Sequence, residues 1–147
     1  MQLIYTKRKG MEKLVIALNL IMDFIDSNTF VNEQDITDFL YNTGFDDYEI
    51  RQTLSMLSFN FIEQQPIFRH FSHYEKNKFT RDAMLYIQKL LISGFLDLLT
   101  LEEIIEKGAE EEHAKINAED IKQLVLMTIL EKRSPLRHTL QDFELLN

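Results

Sequence analysis

Cysteine and tryptophan are both absent from the 147-residue chain. The lack of cysteine rules out disulfides, thiolate metal sites and a cysteine nucleophile. Four glycines and two prolines leave little punctuation, which argues for long helices over a many-turned β fold. Nor is there an apolar run of membrane-spanning length. "AMLYIQ" and "LLISGFL" are interrupted by Gln88 and Lys89, and "LVLMTIL" is short. Lys7, Arg8 and Lys9 precede the apolar run Leu14–Met22, but Asn19 breaks that run and Asp23 and Asp26 follow it. With no small-residue cleavage site, it reads as an amphipathic helix, not a signal peptide. The expectation is a soluble cytoplasmic protein. No glycine-rich phosphate loop or nucleophile elbow occurs in the sequence, so no catalytic, cofactor-binding or metal-binding residue is assigned and a non-enzyme is expected.

What is present suits one domain, or two small lobes sharing a core. Hydrophobic residues make up 45% of the chain, and its 11 Phe and 5 Tyr supply ample core material. The net charge of −8 is unevenly spread. Acid dominates residues 16–64 and 97–120, and a modestly basic block, residues 65–96, lies between them.

Apolar spacing predicts a first helix over Met11–Asp26, with Leu14, Leu18, Ile21 and Ile25 on one face. Asn32 has the chemistry of an N-cap for a second helix, and Gly44 sits where a left-handed residue closes one. Asp46, with Glu49 three residues on, forms a capping box for a third helix. Together these give a helix-turn-helix pattern. The segment "SFNFIEQQPIFRHFS" alternates aromatic and polar residues around a Glu63–Pro66 turn, predicting a short β-hairpin and a winged-helix-like lobe. A fourth helix is expected from Ser72 to Ser93, opened by the Ser72–Glu75 capping box and closed by Gly94. A fifth begins near Leu98 to Thr100, and a sixth spans Ala118–Arg133 behind Asn117 and Asp120. The expected fold is therefore mainly α. Residues 1–10 form an extension, 11–71 a helix-turn-helix-like lobe, 72–133 a three-helix lobe, and 134–147 a tail whose Phe143, Leu145 and Leu146 can dock.

The blocks "MEKLVIALNLIMDFI", "ITDFLYNTGFDDYEIRQTLSML", "RHFSHYE" and "INAEDIKQLVLMTIL" occur in that order. In order and spacing they resemble the bacterial Smg family from about Met11 to Leu130. Its most telling pieces are the turn at Gly44–Ile50 and the start at Glu119–Lys122. The segment before Arg69 is shorter than the family pattern, and Gln123 stands where the family usually has an aromatic. Residues before Met11 lie outside the pattern, so Met11 is a candidate natural start. The resemblance implies a cytoplasmic bacterial protein without assigned catalytic residues. Family genes lie near genes for DNA processing, which implies a lean towards nucleic-acid metabolism.

Two surfaces are candidates for function. Arg69, Lys76, Lys78, Arg81 and Lys89 make a basic strip, with Phe71, Tyr74 and Phe79 interleaved, suited to gripping a nucleic-acid backbone. On one continuous helix, Lys78, Arg81 and Lys89 fall within about an 80° arc. The two most apolar helices offer Leu91, Ile92, Phe95, Leu126, Met127 and Leu130 as a protein interface, unless they pack as central core helices. The acids Asp46, Asp47 and Glu49 oppose base reading by the third helix and are better explained as caps. His70 and His73 lack a third ligand at metal-site spacing, and Glu110–Glu112 with His113 point in different directions. The expected role is a non-catalytic binding or adaptor module acting through protein contacts or self-association. The alternative is an accessory nucleic-acid-binding protein using Arg69 to Lys89.

Overall fold

The computed structural model describes residues 2–28, 30–57, 68–112 and 115–132, with side chains from residue 10 onward. Its first helix, α1 (Gln2–Ser27), begins nine residues before the predicted start. Ala17, Leu18, Ile21, Met22 and Ile25 recur at helical spacing, and all five are buried. That stripe fixes which face of α1 turns inward. Asn28 ends the helix, its Nδ2 donating to the Phe24 carbonyl at 2.7 Å.

The next two helices are α2 (Glu33–Thr43) and α3 (Asp47–Ser55), and both start as the sequence predicts. The Asn32 side chain accepts from the Asp35 amide while the Asp35 carboxylate accepts from the Asn32 amide. Asp46 and Glu49 repeat the exchange at the start of α3. Gly44 adopts φ 111°, the left-handed region that a side chain would strain. Its amide donates to the Tyr41 carbonyl, and Phe45 donates to Leu40, each at 3.1 Å. This pair of bonds closes α2 as a Schellman motif.

The predicted hairpin centres on residues 58–67, which lie outside the described residues, as does the tail from 133 onward. Among the described residues there are seven helices and no strand. Phe68 to Ser72 runs without strand pairing into α4 (His73–Lys78).

Here the structure departs from the predicted continuous helix, because α4 stops at Phe79 and α5 (Arg81–Ser93) starts afresh. Phe79 is extended, and Thr80 caps α5 by accepting from the Ala83 amide at 3.1 Å. The backbone groups released by the break find partners elsewhere. Ile116 donates to the Lys78 carbonyl and Thr80 donates to the Ile116 carbonyl, both at 2.9 Å. This isolated parallel bridge carries the Phe79 ring into the interior against Gly108.

Two more helices complete the fold, α6 (Leu98–Glu110) and α7 (Ala118–Lys132). Asp97 caps α6 through the Thr100 amide at 2.7 Å. Asn117 and Asp120 cap α7 by a reciprocal pair of bonds at 2.9 Å each. Helix α7 packs on α5, α6 and α1, and α1 also packs on α2, α3 and α5. Buried apolar residues from six helices form one cluster. Each large side chain fully buried there contributes roughly 1.5–3 kcal/mol, before the entropy cost of ordering it. The two helices with apolar residues on most faces both contribute to this cluster. Helix α5 buries Tyr86, Ile87 and Leu90, and α7 buries Ile121, Val125 and Ile129.

Candidate interaction surface

The break at Phe79 places Lys78 on α4 and Arg81 and Lys89 on α5, so the three do not share one continuous helix. Three of the basic strip's five cations are engaged by the chain's own acceptors. Arg69 is half-buried and forked between Glu75 and Glu102, with contacts of 3.0 and 2.8 Å to the first and 2.5 and 3.0 Å to the second. Its guanidinium also lies 5.1 Å from the Phe71 ring centroid. This bidentate arrangement ties the segment before α4 to α6. Hydrogen bonding to Glu102 and then Glu75 raises the Arg69 pKa further above its already high value, and Arg69 in turn lowers that of Glu75. Lys78 donates to the Glu111 carbonyl, and Lys89 donates to the Asp26 carbonyl at 2.6 Å. Lys76 and Arg81 are exposed.

The candidate apolar interface divides in the same way. Leu91 and Phe95 are core residues, whereas Ile92, Leu126 and Leu130 are half-buried and Met127 is exposed. His70 and His73 are exposed, and His113 lies outside the described residues. Among the described residues, no group of three or more His, Asp or Glu is placed to hold a metal ion.

The acids of the helix pair behave as capping chemistry requires. Asp46 and Glu49 are consumed in their box, and Glu49 also pairs with Lys13 of α1 at 2.6 Å. Its carboxyl is held below the usual range, first by the Asp46 amide and then by Lys13. Between Asn32 and Leu57 there are six carboxylates and a single cation, Arg51. The Arg51 Nε turns back to the Asp47 carbonyl at 3.3 Å. The rest of this surface is aromatic as well as acidic. Phe30, Tyr41 and Tyr48 are 71%, 65% and 62% exposed.

Sequence reasoning missed one cluster entirely. Lys122 of α7 reaches Asp26 at 2.9 Å and Asp23 and Glu119 at 3.1 Å each. It also lies 5.5 Å from the centroid of the Tyr86 ring, whose hydroxyl donates to the Met22 carbonyl at 3.2 Å. Burial works against the Lys122 charge, but the hydrogen bonds to Asp26, Asp23 and Glu119 outweigh it and raise its pKa. Burial foremost, followed by Asp26 and Asp23, raises the Tyr86 pKa. The available signal was Asp23 and Asp26 on the flank of an otherwise apolar stripe, a placement that calls for a cation from another helix.

The fold and this surface define a mainly helical protein that includes a capped α2–turn–α3 pair, with many of its ionisable groups spent on caps and interhelical clamps. The family profile described as protein of unknown function (DUF494) matches residues 15–146, and the chain belongs to that family, the Smg family. No curated protein and no solved structure matches the chain. No helix among the described residues is long and apolar enough to cross a membrane.

Proposed function

We propose that the protein is a non-catalytic binding module that works through protein contacts. One observation carries this reading: the helix pair α2–α3 is acidic and has exposed tyrosines, Tyr41 and Tyr48. Exposed aromatics supply large contact area at low entropic cost and are enriched where proteins meet. A carboxylate-rich surface repels phosphate, so this unit is poorly suited to a nucleic-acid backbone.

The test is recovery of a stoichiometric partner from a native extract on the immobilised chain, alongside light scattering of the pure protein. A partner or a defined oligomer is the expected result. A strict monomer that retains no partner overturns the reading. The competing role, a nucleic-acid accessory protein gripping through the segment from Arg69 to Lys89, makes a different forecast. Duplex or single-stranded binding at low salt that is abolished by Lys76→Glu with Arg81→Glu would establish it in place of the first.

A further inference from the structure

Two clefts meet at Asp38, one on each side of α2. The first, about 430 Å³, lies towards α1 and is lined by Phe24, Phe30, Asp35, Asp38 and Phe39. The second, about 440 Å³, lies towards α3 and is lined by Asp38, Tyr41, Asp47, Ile50, Arg51 and Leu54. Both volumes fall within the range of clefts that hold ligands. Phe24 and Phe39, stacked at 4.3 Å with 8° between their planes, give the first cleft an apolar lining. Each cleft has an exposed aromatic, Phe30 in the first and Tyr41 in the second.

Phe30 has an unusual backbone. It sits at φ 57°, the only non-glycine residue at positive φ among those described. For a bulky side chain that conformation is strained. The strained residue nonetheless points a phenyl ring outwards, although burial would have stabilised it by roughly 1.5–3 kcal/mol.

We propose that these two clefts form one docking surface for a cationic amphipathic segment of a partner protein, in which arginine or lysine alternates with apolar residues. Charge complementarity selects that occupant. Asp38 is shared by both clefts and has one oxygen engaged by Gln34 at 2.9 Å. Among the described residues the Asp47 carboxylate makes no ion pair. A guanidinium laid on Tyr41 gains a cation–π contact, and its N–H groups can donate to either carboxylate. Apolar neighbours of that arginine meet the half-buried Leu54 in one cleft and the half-buried Phe24 and Phe39 in the other. Among the described residues lining the two clefts Arg51 is the opposing cation, and its bond back to the Asp47 carbonyl holds it along α3. The proposal rests on the protein-contact reading and names the chemistry of the partner.

The experiment titrates the full chain with a fluorescent peptide of alternating arginine and leucine and follows anisotropy. Asp38→Lys should weaken binding roughly tenfold, and Tyr41→Ala and Phe30→Asn severalfold each. Glu110→Lys makes the same charge change outside both clefts and should leave the affinity within about twofold. Circular dichroism of each variant confirms that it folds. Equal losses from Asp38→Lys and Glu110→Lys, or full affinity in Tyr41→Ala and Phe30→Asn, overturn the docking surface. Passing the same variants over a native extract separates the two ideas. A partner still held by Asp38→Lys removes this surface but leaves the protein-contact reading standing, whereas a strict monomer with no partner for any form removes both.

Discussion

Gly10 and Gly108 are both helical glycines, and their surroundings differ. A Cβ added at Gly10 meets nothing within 4 Å, whereas one at Gly108 comes within 2.9 Å of Phe79 Cε1. Gly10→Ala should therefore stabilise the protein by about 0.5–1 kcal/mol through the unfolded chain. Gly108→Ala should destabilise it by about 1–3 kcal/mol, because the buried Phe79 ring cannot withdraw without disturbing the core. Thermal melts of the two variants should move in opposite directions. Glu75 gives a second forecast at this scale. Its folded pKa is depressed by Arg69, so its contribution is present above the unfolded value of about 4.3 and is lost as pH falls through the lower folded value. Glu75→Gln should cost roughly 1.5–3 kcal/mol at neutral pH. Urea midpoints of the variant and the parent should converge in acid.

Turns decide the outcome at the scale of elements. Gly44→Ala forces a side chain into φ 111° and should lose about 1–2 kcal/mol. Asp46→Ala removes one half of a capping box and should lose about 1 kcal/mol. Denaturant titration of the pair would show both losses without a change in the slope m. These caps were legible in the sequence because capping is local: Asn32, Gly44, Asp46, Ser72 and Asn117 each act within a few residues of themselves. The break between α4 and α5 was not, since its energy comes from Ile116, distant in the chain, and from the space Gly108 leaves for Phe79. Thr80 three residues before Ala83 was a real signal, hidden by continuous apolar spacing. The acceptors that engage three cations of the basic strip were hidden for the same reason. Glu102, Glu111 and Asp26, which occupy Arg69, Lys78 and Lys89, lie on other helices or in other turns.

At the scale of the whole molecule, α1 is tied to the C-terminal helices by Lys122 as well as by apolar packing. Lys122→Met should cost about 1–2 kcal/mol, a modest value because its carboxylate partners are largely solvated. The bridge between Phe79 and Ile116 has a temporal meaning too. It closes a loop that already contains α5 and α6 and delivers the chain to the start of α7, so these three helices can assemble through contacts close in sequence. Closure of that loop should therefore precede the docking of α1 on α5 and α7, which are farther from it in sequence. In a chevron analysis, Phe79→Leu should act mainly by slowing folding and Lys122→Met mainly by speeding unfolding. The residue that interrupts a helix in the finished structure would then be the one that sets the order in which the structure is made.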